Sequence, residues 1–209
     1  MDEPLILASA SPIRNKLLAT AGLKVRVEPA QVDEEPIKRM FQVDRQAAAD
    51  CALALAEAKA QQVAENHRDA LVVGADQILV CDEIWLSKPA DLADARAQLR
   101  ALRGRTHELV TAVCVVREAA RIWHTVSSAK LTMRHFSNAF LDTYLGAEQA
   151  AALGSLGGYR LEERGIQLFS DIQGDYFAIL GLPLLELLSF LRFAARSPLS
   201  QPSLRSTTA

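Results

Sequence analysis

The residues that could do chemistry here are those that would hold an anion. In LASASPIRNKLL (7–18), Ser9, Ser11, Arg14 and Lys16 stand where the apolar run Leu5–Ala8 meets a serine–proline pair and leucines at helical spacing. A helix N-terminus offers unpaired N–H groups and a partial positive charge. Hydroxyls just ahead of it and cations in its first turns would complete a phosphate-sized anion site. Ordinary capping by Ser11, with Arg14 and Lys16 solvated, uses the same residues and is the more frequent arrangement.

Further groups of the same kind follow. Lys59 lies on the apolar stripe of Ala48, Ala52, Leu55 and Val63, where a lysine either snorkels to the rim or points into a cleft. Asp76 ends the run Leu71-Val72-Val73-Gly74-Ala75, at the strand end where open α/β sheets place ligands. Such a carboxylate can hold a divalent ion or orient a water, and a turn aspartate bonding its own backbone is the alternative. Lys88, before Pro89, could meet a phosphate as a point charge, and Asp33, Glu34 and Glu35 form an acidic loop that is either a ligand set or simply solvated. Walker and Rossmann glycine patterns, a GxSxG elbow and paired-histidine metal spacing are all missing. The four histidines have no ligand spacing, and His107, beside Arg103 and Arg105, falls in a candidate site-edge segment.

These residues need elements to carry them. Leu5–Ala8 reads as a short buried strand, followed by a helix capped by Ser11 with Pro12 at its first position and stopped at Gly22. Leu23–Val27 alternates as a strand. Asp44–Glu65 has a long helical pattern, Leu71–Val73 a buried strand, and Ile78–Val80 with Ile84–Leu86 a hairpin around Asp82 and Glu83. Asp91 and Asp94 open a helix that Gly104 closes; Leu109–Arg117 and Ile122–Met133 are β-rich. Ser137 caps a helix to Leu145, a glycine-marked loop precedes Ile166–Phe169, and Pro183 opens a final helix. Mixed strands and helices give an α/β or α+β class with a central sheet.

The 209 residues, half of them hydrophobic, suit one domain over 1–195, with a Ser/Pro-rich tail at 196–209 expected to be disordered. A net charge of −2 leaves no global basic footprint for a nucleic acid polymer or an anionic membrane. Cys51, Cys81 and Cys114 lack zinc or redox spacing and read as reduced packing residues. Acids at the N-terminus instead of a signal-peptide basic region, and a most apolar stretch interrupted by Gly181, Pro183, Glu186 and Arg192, point to a cytoplasmic protein.

LASASPIRNKLL, VVGADQILV, LSKP, LRGRTHELVTAV, GGYRLEERG and GDYFAILGLPL occur in that order over residues 4–193, and together they resemble the Maf family of nucleotide pyrophosphatases. The resemblance implies an elongated two-lobed α/β mixed-sheet fold with a central cleft, related to inosine-triphosphate pyrophosphatases. It implies hydrolysis of a nucleoside triphosphate to the monophosphate and pyrophosphate with Mg²⁺ or Mn²⁺, and it is compatible with a homodimer. Asp76 becomes the proton acceptor; Ser9, Arg14, Lys59 and Lys88 become phosphate-binding groups; Glu34, with Asp76, becomes a metal carboxylate. Three positions are tied to base choice. This chain has Ile13, Gln77 and Glu162 there, matching at Gln77 and Glu162 the branch that prefers 7-methyl-GTP, while Ile13 replaces that branch's tryptophan. General nucleotide hydrolysis is the other substrate reading. A nucleotide sensor of cell division that does not turn over, and a phosphatase releasing orthophosphate, are the competing functions. A further departure is Cys81-Asp82-Glu83, a hairpin turn that commonly carries a glycine in the family.

Overall fold

The computed structural model describes residues 4–194. A seven-stranded mixed sheet runs in the order β2 (Val25–Val27), β1 (Leu5–Leu7), β3 (Leu71–Cys81), β5 (Thr106–Arg117), β6 (Ala120–Met133), β7 (Phe169–Gln173), with β4 (Ile84–Leu86) paired to β3. β1 is parallel to β2 and β3, and every other pairing is antiparallel. The expected α/β class with a central sheet is what forms. The tail at 196–209 lies outside the described residues.

Strand alternation sorts β3 onto two faces. Val72 and Ile78 pack with the alanine-rich helix α3 (Ala48–Ala64), whereas Val73 and Ala75 pack on the opposite face with Leu18, Leu182 and Leu187. Those partners come from α1 (Pro12–Thr20), the Leu182 segment and α8 (Leu184–Ala194). A third apolar cluster joins Leu79 of β3 to α4 (Leu92–Leu102), the far ends of β5 and β6, and α5 (Asn138–Ala147). Small residues let α3 approach closely. A Cβ on Gly74 would stand 2.0 Å from the Ala56 carbonyl oxygen and 2.8 Å from the Ala60 Cβ, so only glycine fits between strand and helix there.

Several boundaries differ from the sequence reading. The acidic segment 32–36 is not a loop: Asp33 caps, and Glu34 and Glu35 begin, helix α2 (Glu34–Val43). Carboxylates in a first turn suit the helix dipole, which is why an acid run that looks solvated opens a helix instead. The long helix starts at Ala48 and not Asp44, after a break at Arg45 with φ of 51°. Ile166 belongs to a 3₁₀ turn over Arg164–Leu168, and the strand beyond it is β7. Two short helices, α6 (Gln149–Gly154) and α7 (Tyr176–Ile179), lack the periodicity that would have announced them. The hairpin between β3 and β4 does form, with Asp82 and Glu83 both left-handed at φ of 48° and 68°. A two-residue turn of that kind is normally relieved by glycine, so this sequence accepts local strain instead.

Asp76 also sits elsewhere than expected. It lies in the middle of β3, because β5 pairs with that strand from Val72 to Val80. The strand that ends is β1, whose pairing with β3 stops at Leu7 opposite Val73. On that edge β4 takes over only at Leu79. Between them, residues 74–78 of β3 have no strand on this edge among the described residues, and the sheet is notched. The candidate site fills the notch.

Candidate functional site in the sheet notch

The first wall of the notch is the β1–α1 junction. Ser11 is the N-cap of α1, accepting from the Arg14 N–H at 3.5 Å, and Pro12 occupies the first turn. Arg14, in that same turn, reaches across the gap. Its Nη1 donates to Ser9 Oγ at 3.0 Å and to the Ala75 carbonyl at 2.9 Å, and its Nε donates to the Gly181 carbonyl at 2.7 Å. The guanidinium thus satisfies a carbonyl that a longer β1 would have paired, and it ties β3 to the turn before α8. Gly181 has φ of +93°, and a Cβ there would meet Arg14 Nε at 3.1 Å, so glycine serves both the turn and the approach. Burial lowers the Arg14 pKa, against the opposing pull of Asp76 and Glu34.

The second wall comes from α3 and α2. Asp76 points to the α3 face, two residues beyond Gly74, and the close packing at Gly74 brings Lys59 against it. Lys59 Nζ lies 2.5 Å from Asp76 Oδ1 and 2.6 Å from Glu34 Oε1, bridging the two carboxylates. Lys38, one turn along α2, holds the other Glu34 oxygen at 2.7 Å. Burial by itself would raise Glu34, but hydrogen bonds and charge from Lys38 and Lys59 outweigh it and hold the carboxyl at about 2. Asp76 goes the other way: burial lifts its pKa, with Glu34 adding, and Lys59 and Arg14 offset only part of the rise.

One atom of the cluster is unsatisfied. Asp76 Oδ2 is buried and has no hydrogen-bond partner among the described residues. Such an oxygen calls for a water or a cation. Among the described residues no three His, Cys, Asp or Glu side chains gather as a metal cage. Two carboxylates suit Mg²⁺ nonetheless, because that ion keeps several waters and takes one or two carboxylates together with substrate phosphates. Asp76 Oδ2 is the open donor for such an ion, and Glu34 is the neighbouring carboxylate, its two oxygens held by Lys38 and Lys59.

Of the residues singled out from sequence, Ser9, Arg14, Glu34, Lys59 and Asp76 come together. Lys88 is exposed and makes no hydrogen bond or ion pair among the described residues, nor does Glu162, also exposed. Ile13 is half-buried against the core cluster on the α4 side. Gln77 points away from Asp76, and its amide nitrogen donates to Thr111 Oγ1 at 2.8 Å and to the Ala178 and Ile179 carbonyls at 3.1 Å each. His107 is not at a site edge: it is 2 % exposed, with Nε2 2.7 Å from the Tyr159 hydroxyl. His107 lies within β5 on its covered face, whereas Arg103 and Arg105 precede the strand, in the turn after α4. Cys51, Cys81 and Cys114 are buried and free, as packing residues should be. Lys38 is a member that the sequence reading missed. Its signal was the i,i+4 spacing from Glu34, which has meaning only once 34–43 is known to be a helix.

The comparisons with known proteins agree with one another. The model of the Maf-like protein family matches residues 4–194. The chain is 50 % identical over 188 residues to the nucleoside triphosphate pyrophosphatase of Granulibacter bethesdensis, covering 90 % of this chain and 95 % of that one. It is 47 % identical over 188 residues to the 7-methyl-GTP pyrophosphatase of Rhizobium meliloti, covering 90 % and 94 %. Among solved structures it is similar to a HAM1 protein from Coxiella burnetii, 12 % identical with a TM-score of 0.46 over 91 % of this chain and 98 % of that one, a likeness too low to bear on function. Among the described residues no helix is long and apolar enough to cross a membrane. With the family model matching nearly the whole of the chain and relatives this similar along their full length, the chain belongs to the Maf-like protein family.

Proposed function

We propose that this protein is a nucleoside triphosphate pyrophosphatase, cleaving the α–β phosphoanhydride to release a nucleoside monophosphate and pyrophosphate. The observation that carries the reading is the notch itself: a buried carboxylate with one free oxygen, faced by a lysine and an arginine at a helix N-terminus. Arg14, Lys59 and the α1 N-terminus neutralise the phosphates, Ser9 orients Arg14, and Lys88, unpaired on its exposed segment, joins them when the nucleotide is bound. A divalent ion held by Asp76 and Glu34 supplies charge neutralisation of the phosphate oxygens when bound. Asp76 accepts the proton of the water attacking the α-phosphorus, a role helped by a carboxylate whose pKa burial has raised. Lys59 moves from carboxylate to phosphate as substrate enters, because the polyanion offers it a stronger partner. Ile13 and Glu162 border the base. Relatives named for both nucleoside triphosphates and 7-methyl-GTP stand at nearly equal identity, so modified and common nucleotides are both candidate substrates. The reading carries with it the cytoplasm, where nucleotide pools reside.

The test is product identification from a nucleotide panel with Mg²⁺ or Mn²⁺. Pyrophosphate with the monophosphate, lost in Asp76→Asn, is the expected result. Orthophosphate release, or an unimpaired Asp76→Asn enzyme, would overturn the mechanism, and tight binding with no turnover of any nucleotide would make the protein a sensor.

A further inference from the structure

Asp76 and Gln77 are neighbours on β3, so their side chains leave opposite faces of the sheet. Asp76 enters the notch on the α3 side, whereas Gln77 stands beside Thr111, its cross-strand partner on β5, under the short helix α7. The contacts there account for the whole amide nitrogen. Gln77 Nε2 donates toward Thr111 Oγ1, Ala178 O and Ile179 O, and Thr111 Oγ1 donates its own proton to Ala178 O at 2.9 Å. Carbonyls can be met only by N–H or O–H, so the network fixes the amide orientation. Thr111 is fully buried. Together the two side chains clamp the last carbonyls of a four-residue helix, which would otherwise be held only by its own short-range bonds.

That helix is connected to the site. Its C-terminal turn leads directly to Gly181, whose N–H bonds to Ala178 O at 2.9 Å and whose carbonyl receives Arg14 Nε at 2.7 Å. Among the described residues the Arg14 side chain donates hydrogen bonds to this carbonyl, Ala75 O and Ser9 Oγ. We infer that Gln77 and Thr111 are positioning residues for Arg14, acting through α7 and Gly181, so that their effect reaches the phosphate cradle and not only the base. The inference rests on the proposed phosphate role of Arg14.

Inorganic tripolyphosphate, which has no base, separates the two roles. Its binding to the full-length protein is measured by calorimetry in Mg²⁺ buffer, beside kcat/KM for GTP and 7-methyl-GTP. Gln77→Leu and Thr111→Val should each weaken tripolyphosphate binding about tenfold, the loss expected when one charge-assisted hydrogen bond is misaligned. Both should also lower kcat/KM for each of the two nucleotides. Thr111→Ser, which keeps the hydroxyl, should restore most of the affinity. In an Arg14→Ala background Gln77→Leu should add nothing, since residues acting through one group are not additive. A changed nucleotide ratio with unchanged tripolyphosphate affinity would show instead that Gln77 reads the base. Equal losses in the wild-type and Arg14→Ala backgrounds would show that the clamp acts on folding alone. Should Gln77→Leu not fold, Thr111→Val decides the matter by the same readouts. A wild type that binds tripolyphosphate without hydrolysing any nucleotide would sink the proposed reaction, and the binding arm would still decide the clamp.

Discussion

Asp76 and His107 are ionisable groups buried at two places along this sheet, and the protein treats them in opposite ways. In the notch beside β1, Lys59 bridges Asp76 and Glu34, Lys38 holds Glu34 and lies 3.9 Å from Glu35, and Arg14 is buried within the field of Asp76 and Glu34. On the far half of the sheet, His107 meets Tyr159 at 2.7 Å and packs against Phe169, with no charged partner in contact. There burial lowers the histidine to about 4 and pushes the Tyr159 phenol up, so both stay neutral near pH 7. Each place leaves one buried atom without a partner, Asp76 Oδ2 in the notch and His107 Nδ1 in the core. A lone buried group gives up its charge, whereas charges survive burial where counter-charges surround them. Arg14, whose side chain donates to two carbonyls and a hydroxyl among the described residues, is on the proposed function the cation left to meet an incoming polyphosphate.

The contrast breaks most severely at Asp76. Asp76→Asn keeps the shape and one hydrogen bond to Lys59 while removing the proton acceptor, so kcat for pyrophosphate release should fall by roughly a thousandfold, within the range of lost general-base catalysis. Tripolyphosphate affinity in the absence of metal should hold or improve, since a negative charge has left the cradle. A kcat within a few-fold of wild type would take the proton-accepting role away from Asp76.

Lys59 tests whether counter-charge is what permits burial. Lys59→Met fills a similar volume but leaves Asp76 Oδ1 without its cation and Glu34 with only Lys38. Denaturant unfolding should show a loss of about 3 kcal/mol, as for other buried pairs broken from one side, with kcat/KM down by about a hundredfold. A variant as stable as the parent would mean that solvent, not Lys59, keeps the carboxylates charged.

The degree to which these regions could be read from sequence differs for a physical reason. The Ser11 cap, Pro12 at the helix start and the Lys59 stripe are local patterns, and each formed as read. What stayed hidden depends on the end of another strand. Asp76 looked like a strand-end residue because the apolar run stops at Val73, yet the strand continues to Cys81 and it is β1 that ends. Likewise Glu34 and Lys38 are neighbours only on a helix, and the acid run that opens α2 looks like loop in one dimension. His107 was misplaced because Arg103 and Arg105 stand close before it in sequence, yet they belong to the turn after α4 while His107 is already in β5 and faces the core. Six ordered motifs supplied by resemblance what local patterns could not, namely which scattered residues meet.

His107 offers the complementary test on the neutral side. A histidine depressed to about 4 when folded, against 6.5 when unfolded, lets the unfolded chain bind a proton that the native state refuses. Its contribution to stability is therefore complete above pH 6.5 and is lost as pH falls toward 4, to a total on the order of 2–3 kcal/mol. Thermal unfolding of wild type and His107→Gln across pH 7 to 4 isolates this from the carboxylates: the difference between the two curves should shrink as the pH falls. Parallel curves would show that the histidine takes up its proton without cost and that the pocket is wetter than its packing implies.

The smallest expected effect bears on substrate choice. Ile13 precedes Arg14 in the first turn of α1 and is half-buried against the α4-side cluster; on the proposed function its open edge borders the base. Isoleucine offers a nucleobase an apolar edge but no ring. Tryptophan would add a stacking face, and the positive charge of 7-methylguanine would favour that face over neutral guanine by a cation–π contribution. Ile13→Trp should therefore raise the 7-methyl-GTP to GTP ratio of kcat/KM by about fivefold, on the scale of such contacts at partly exposed sites. Because the gain is confined to the base, tripolyphosphate binding should not move. This is the reverse of what Gln77→Leu should do, and the two variants together separate base choice from phosphate positioning along one short path through Arg14. If Ile13→Trp instead lowers both nucleotides equally and weakens tripolyphosphate, the side chain at 13 presses on the proposed cradle and does not set base preference.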